Sequence, residues 1–154
     1  MYAHMKALFT LRGPSSRGKS TTLLSLIEKM ENDSRFRKIT QETHPNGTDL
    51  FYIAATDKGN VAVLTAGDPG EEYAVSGYLE RCTLTGVLII FAASRTRGRI
   101  SEMLGEFAVA NDFAVIDTAP AFVYSDSEEL AAELHRMQAD SLLSMAEYML
   151  ELKK

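Results

Sequence analysis

The chain has 154 residues, 45% of them hydrophobic and 24% charged, which fits one globular domain with an adequate core and argues against a disordered or low-complexity chain. A formal charge of -5 excludes a general nucleic-acid-coating surface, so any phosphate recognition is expected to be local. The single cysteine, Cys82, rules out an intrachain disulfide or a cysteine-based metal cluster, and no apolar run approaches the roughly 18 to 20 residues of a membrane span, so a cytoplasmic protein is expected.

Residues 1–154 read as a single domain, with no repeat or linker. Met5 after His4 suggests a cloning junction, and residues 1 to 4 carry no functional weight. From Lys6 to Leu11 an apolar run predicts a strand, and after a Gly- and Ser-rich loop the spacing of Leu23, Leu24, Ile27 and Met30 predicts a helix. Lys38 to Thr43 is expected to be a short edge strand ahead of the turn His44-Pro45-Asn46-Gly47. Leu50 to Ala55 and Val61 to Thr65 flank Asp57-Lys58-Gly59-Asn60 as a β-hairpin. A helix follows, with Ala74, Val75, Tyr78, Leu79 and Cys82 on one face.

Val87 to Phe91 is continuously apolar, as suits a strand covered on both faces. Ile100, Met103, Leu104 and Phe107 mark the next helix, and Phe113 to Ile116 the last strand. A long C-terminal helix is expected to open with a capping box of Ser125 and Glu128. Leu130, Leu134, Met137, Leu142, Met145, Met149 and Leu152 form its apolar stripe, read as core while leaving a homodimer seam open. The alternation of strands and helices predicts a three-layer α/β fold, its sheet mostly parallel with the hairpin as an antiparallel edge.

The segment Gly13-Pro14-Ser15-Ser16-Arg17-Gly18-Lys19-Ser20 matches G-x-x-x-x-G-K-[ST] in full and lies between a strand and a helix. Such a loop curls its backbone N–H groups around a phosphate, and the helix dipole adds to the attraction. Gly13 and Gly18 permit close approach of the backbone. Lys19 is assigned to the β- and γ-phosphates, Ser20 to Mg²⁺, and Thr21 completes the nucleotide-binding set. A magnesium nucleotide also needs an acid nearby, and Asp68 and Asp117 compete for that task.

Asp68 follows the hairpin; its alternative reading is a helix N-cap, with Pro69 first in the helix and Glu71 closing a capping box. Asp117 ends the apolar run Phe113-Ala114-Val115-Ile116 but is expected to lie on a strand remote from the P-loop, with a cap or turn as its other reading. The metal is therefore assigned to Ser20 and Asp68, with Asp117 as the alternative. Arg95, Arg97 and Arg99 follow the most apolar strand and can clamp an oxyanion. Arg95 and Arg97 are preferred as catalytic partners of Lys19 and Asp68, because Arg99 falls within the next helix. His44 and His135 are expected at the surface.

The Gly13–Ser20 segment resembles the P-loop NTPase superfamily, and that resemblance implies its three-layer fold and Mg²⁺–nucleotide binding. More loosely, the order of P-loop, hairpin, Gly67-Asp68, apolar strand and Arg95-Thr96-Arg97-Gly98 is similar to small bacterial and phage P-loop proteins. The placement of Asp68-Pro69-Gly70-Glu71 after a hairpin resembles the Asp-x-x-Gly switch of small GTPases. In that superfamily's kinases and GTPases the third strand lies beside the P-loop strand and the last lies away from it, which favours Asp68 over Asp117. No Asn-Lys-x-Asp segment follows, so ATP is preferred to GTP. Asp117-Thr118 with Ala119-Pro120 is similar to the ArsA and ParA type ATPases, although the loop lacks their early lysine.

Three classes of function follow: an ATPase that switches a protein partner, a small nucleotide or nucleoside kinase, and a non-catalytic nucleotide-binding module. The kinase would hold its phosphate acceptor opposite the P-loop, against residues 36 to 52, with Asp68 or Glu71 near the acceptor hydroxyl. No membrane partner is expected, and the sequence carries no strong nucleic-acid signal.

Overall fold

A computed structural model describes residues 5–13, 19–120 and 127–152. Ten elements alternate along the chain: β1 (Ala7–Arg12), α1 (Lys19–Glu31), β2 (Arg37–Thr43), β3 (Leu50–Thr56), β4 (Gly59–Leu64), α2 (Glu72–Leu84), β5 (Val87–Ser94), α3 (Arg99–Asn111), β6 (Ala114–Thr118) and α4 (Glu128–Leu150). The six strands form one mixed sheet in the order β2-β3-β4-β5-β1-β6. β4, β5, β1 and β6 run parallel, whereas β2-β3-β4 is an antiparallel meander. The hairpin is thus not itself the edge, because β2 pairs outside it.

Period and burial explain the layers. Alternate residues of the central strands face opposite sides, and each side is sealed by a pair of helices. On one side Phe9, Tyr52, Val63 and Phe91 meet Leu23, Leu26, Ile27 and Met30 of α1 and Ala139, Leu142, Ala146 and Leu150 of α4. On the other, Leu8, Phe51, Leu64 and Ile90 meet Val75, Tyr78 and Leu79 of α2 and Ile100 and Leu104 of α3. Stacked rings join Phe9 to Phe91 at 4.8 Å across adjacent strands of the sheet, and Phe51 to Tyr78 at 4.5 Å between the sheet and α2. Each large apolar side chain so enclosed contributes about 1.5–3 kcal/mol over its exposed state. In α1 it is Leu26, not Leu24, that turns inward; Leu24 is exposed.

Three expectations are corrected. First, β6 is the direct partner of β1, with Thr10 opposite Asp117, while β5 separates β4 from β1. The strand most apolar throughout takes the centre, where both faces are covered, and this displaces the hairpin arm by one position. Second, α4 begins at Glu128 with Ser127 as its N-cap, its side chain accepting from the Leu130 N–H at 3.2 Å. Ser125 lies outside the described residues. Third, the apolar stripe of α4 is split: Leu142 is buried, but Leu130, Met137 and Met145 are exposed. Two of the four buried positions, Ala139 and Ala146, are alanines, which let α4 approach α1 closely, braced by the Lys29–Asp140 pair at 2.7 Å and by Arg35–Glu147.

Candidate functional site

The carboxyl ends of four parallel strands lie along one edge of the sheet, the edge at which α/β proteins hold ligands. Gly13 ends β1 there, its N–H donating to the Ser94 carbonyl at 3.2 Å. Pro14, Ser15, Ser16, Arg17 and Gly18 fall outside the described residues, and the chain resumes at Lys19, the first residue of α1.

Lys19 is 6% exposed, unusual for a lysine, and its ammonium donates to the Gly13 carbonyl at 2.7 Å and the Ser94 carbonyl at 3.1 Å. Asp68 Oδ1 stands 3.9 Å from the same nitrogen. Burial pushes the Lys19 ammonium below its ordinary value, Asp68 pulls it back, and Arg95 adds to the depression. Lys19 is therefore held at the junction of β1, α1 and β5 as a cation with few protein partners.

Asp68 is not a helix cap. α2 begins at Glu72, and it is the Glu71 carboxylate that accepts from the Gly67 N–H at 3.1 Å and the Asp68 N–H at 2.8 Å. That clamp shapes the β4–α2 loop and leaves the Asp68 side chain to receive Arg95 Nε at 3.0 Å and to face Lys19. Gly67 makes the approach possible, because a Cβ there would collide with the Ala93 carbonyl of β5.

The acid that meets Ser20 is neither of the two expected. Ser20 Oγ donates to Asp49 Oδ1 at 3.4 Å, with the Thr65 carbonyl also within reach at 3.5 Å. Asp49 is 9% exposed and accepts from Thr65 Oγ1 at 2.8 Å and from Asn46 Nδ2 at 2.6 Å. Asn46 Nδ2 also donates to Glu71 Oε2 at 2.8 Å, so one amide links the two buried carboxyls. Burial opposes the charge of Asp49, but the hydrogen bonds from Thr65 and Asn46 outweigh it and hold its carboxyl below the usual range. Burial pushes Glu71 up, and neighbouring Asp49 adds to the rise against the pull of the Asp68 N–H.

His44 is also not a surface residue; Asn46 N–H donates to its Nδ1 at 3.0 Å, and Glu71 lies 3.8 Å away. His135 is half-buried on α4. Asp49 and Asn46 read in the sequence as turn residues before an apolar strand; their one distinguishing signal is that the turn ends directly on β3. What brings them to Ser20 is the antiparallel direction of β3, which puts its start beside the end of β4, at the carboxyl edge of the parallel strands.

Asp117 lies within β6, bonded to Thr10 Oγ1 and to Arg12 Nε at 2.8 Å. The Thr10 hydroxyl, and after it Arg12, hold its carboxyl below the usual range. Arg12 also donates to Ser101, so Asp117 ties β6 to β1 and, through Arg12, to α3. Arg99 opens α3 and pairs with Glu102 at 3.3 Å and Glu106 at 2.9 Å on the helix surface. Arg97 makes no ion pair among the described residues; with Arg95, Gly67, Pro69 and Glu72 it lines a cavity of about 220 Å³ next to Asp68.

Comparison with known proteins adds little. No family model matches the chain, and no curated protein matches it. A solved structure titled "Structure of EndoMS in apo form" is similar at 13% identity and a TM-score of 0.38 over 66% of this chain. The match spans about half of that protein, 47% of its length. At that level it carries no argument about fold family or function. No described helix is long and apolar enough to cross a membrane.

Proposed function

We propose that the chain is a Mg²⁺-dependent, ATP-binding P-loop NTPase that hydrolyses ATP to switch a protein partner. One observation carries the reading: the lysine of the G-x-x-x-x-G-K-S segment is buried at a strand–helix junction, held by Gly13 and Ser94 carbonyls and facing Asp68. A lysine that served only solubility would extend into water. Helices on both faces of the sheet, with Gly13 at the carboxyl end of the inner strand β1 and Lys19 opening α1, support the three-layer P-loop fold.

The donor set suits magnesium. Ser20 offers a hydroxyl, and Asp49 a buried carboxylate 3.4 Å from it. Hard oxygen ligands of this kind hold Mg²⁺ together with substrate phosphates. Bound there, the cation would neutralise charge on the β- and γ-phosphates. Lys19 would exchange its contact with Asp68 for the phosphates, Asp49 would orient the Ser20 hydroxyl, and Asp68 and Arg95 would be left facing the reacting group. Arg97, beside them, would stabilise charge in the transition state.

The test is phosphate release from ATP and GTP with Mg²⁺, for the intact protein and Lys19→Ala, with and without nucleosides and nucleoside monophosphates. Acceptor-independent release from ATP that Lys19→Ala abolishes is the expected result. ADP with a phosphorylated acceptor, formed only when the panel is present, would replace this reading with the kinase. Binding without release in either arm would leave a nucleotide-holding module.

A further inference from the structure

One run of hydrogen bonds joins the two halves of the site. On the metal side, Asp49 Oδ1 accepts from Ser20 Oγ at 3.4 Å and from Thr65 Oγ1 at 2.8 Å. On the phosphate side, Glu71 Oε1 accepts from the Gly67 and Asp68 N–H groups at 3.1 and 2.8 Å, fixing the loop whose carboxylate stands 3.9 Å from the Lys19 ammonium. The other oxygen of each acid, Asp49 Oδ2 and Glu71 Oε2, accepts from a single nitrogen, Asn46 Nδ2, at 2.6 and 2.8 Å. Both hydrogens of that amide are thereby committed, and two carboxyls that would otherwise repel are held side by side.

The amide is oriented by its own turn. Asn46 Oδ1 accepts from the Thr48 and Asp49 N–H groups, each at 3.0 Å. Donors on its oxygen and carboxyl oxygens on its nitrogen exclude the flipped amide. The His44 N–H closes the turn on the Asp49 carbonyl at 2.7 Å, and the Asn46 N–H donates to His44 Nδ1 at 3.0 Å. Residues 44 to 49 therefore form one braced piece with the Asp49 carboxylate, and its amide contact to Glu71 reaches the loop of Asp68.

We propose that Asn46 and Glu71 are positioning residues that couple occupation of the metal side to the placement of Asp68 opposite Lys19, an inference that rests on the Mg²⁺–ATP reading above. When Ser20 and Asp49 take up a cation, the Asp49 carboxylate turns toward it, the Asn46 amide follows, and Glu71 carries the displacement to Gly67 and Asp68. The loop can give in one sense only. Gly67 is closed on the β5 side, where even a Cβ would collide with the Ala93 carbonyl. Displacement therefore leads away from β5 and parts Asp68 from Lys19 and from Arg95, the residue that follows β5. Lys19 is then released to the phosphates. Linkage makes the effect reciprocal, so a loop moved by phosphate changes the affinity for the cation by the same factor.

The experiment follows amide nitrogen–proton correlation spectra of the full chain bound to ADP as Mg²⁺ is added to saturation, for the intact protein, Asn46→Asp and Asn46→Ser. Asn46→Asp keeps the acceptor that forms the turn and removes the amide donor; Asn46→Ser removes the donor without adding charge. Position 46 lies in an exposed turn, where both changes are tolerated by the core. The Ser20 and Asp49 amides report the metal, and the Gly67 and Asp68 amides report the loop. Expected are shifts at all four in the intact protein, and in both variants shifts at Ser20 and Asp49 with those at Gly67 and Asp68 severalfold smaller. No response at Ser20 and Asp49 in the intact protein would defeat the metal reading and this inference with it. A response there without one at Gly67 and Asp68, or loop shifts undiminished in the variants, would overturn the coupling and leave the metal reading standing. Should one variant lose the dispersed spectrum of a folded chain, the other decides.

Discussion

The Ser20 hydroxyl donates to Asp49 Oδ1 across 3.4 Å, joining the first turn of α1 to a turn 29 residues further along the chain. Asp49 is in turn gripped by Thr65 and Asn46. If this carboxylate orients the metal-side hydroxyl, Asp49→Asn, which keeps the shape but removes the charge, lowers ATP affinity in Mg²⁺ by about tenfold, or ~1.4 kcal/mol. Affinity without Mg²⁺ changes little. Titration of a fluorescent ATP analogue with and without the cation measures both, and equal losses in the two conditions would count against a metal role.

Asp68 and Arg97 separate binding from turnover. Asp68 Oδ1 stands 3.9 Å from the Lys19 ammonium; on the proposed reading it would compete there with phosphate, so Asp68→Asn is expected to leave ATP affinity equal or a few-fold tighter while lowering phosphate release by at least about tenfold. Arg97→Ala is expected to spare affinity and slow release, because the arginine has no ion-pair partner among the described residues to hold the loop in place. Parallel loss of affinity and rate would make Arg97 a ground-state clamp instead.

Gly67, in the loop after β4, lies against the Ala93 carbonyl of β5. Because the Ala93 carbonyl fills the space of any Cβ, Gly67→Ala forces the loop carrying Asp68 outward, at a cost of about 1–3 kcal/mol, the range for overpacking. Gly70→Ala has open space but a left-handed φ of 96°, so it loses only about 1 kcal/mol. Thermal melts of the two variants rank them, and the reverse order would contradict the loop's close approach.

Asp49 and Glu71 give stability opposite slopes with pH. Asp49 titrates below its ordinary value of 3.8 in the folded protein, so its contribution is present above that value and is lost as pH falls through the depressed one. Glu71 titrates above its ordinary 4.5, so the folded state holds its proton more tightly and stability declines as pH rises from that value through the raised one. Glu71→Gln is therefore expected to remove a decline on the neutral side, and Asp49→Asn to flatten the acid side. Melting temperatures between about pH 3 and pH 8 test both. Superimposable profiles for the variants and the intact chain would refute the assignment.

Much of the architecture was legible. Hydrophobic period marked each helix and most strands, because a strand must alternate or be buried on both faces and a helix must repeat every three to four residues, whereas β2, polar and exposed along nearly its whole length, was marked only by the turn that follows it. The unbroken run Val87–Phe91 foretold a strand with cover on both sides, and β5 has it. Lys19 and Ser20 stood out through a spacing that suits a phosphate loop, and the two are adjacent at the sheet's carboxyl edge.

Sequence alone thus determined the elements, their order and the P-loop candidates, since these depend on local period and on residues near one another in the chain. Tertiary structure decided which strand lies beside which, and with that which acid serves which partner. It sent Asp117 to Thr10 and Arg12, Asp68 to Lys19 and Arg95, and Asp49 to Ser20. It also decided which stripe of α4 is core, because Ala139 and Ala146 allow a closer approach to α1 than the larger Met137 and Met145 would. Strand order and close approach are set by packing between distant segments, and no local pattern records them.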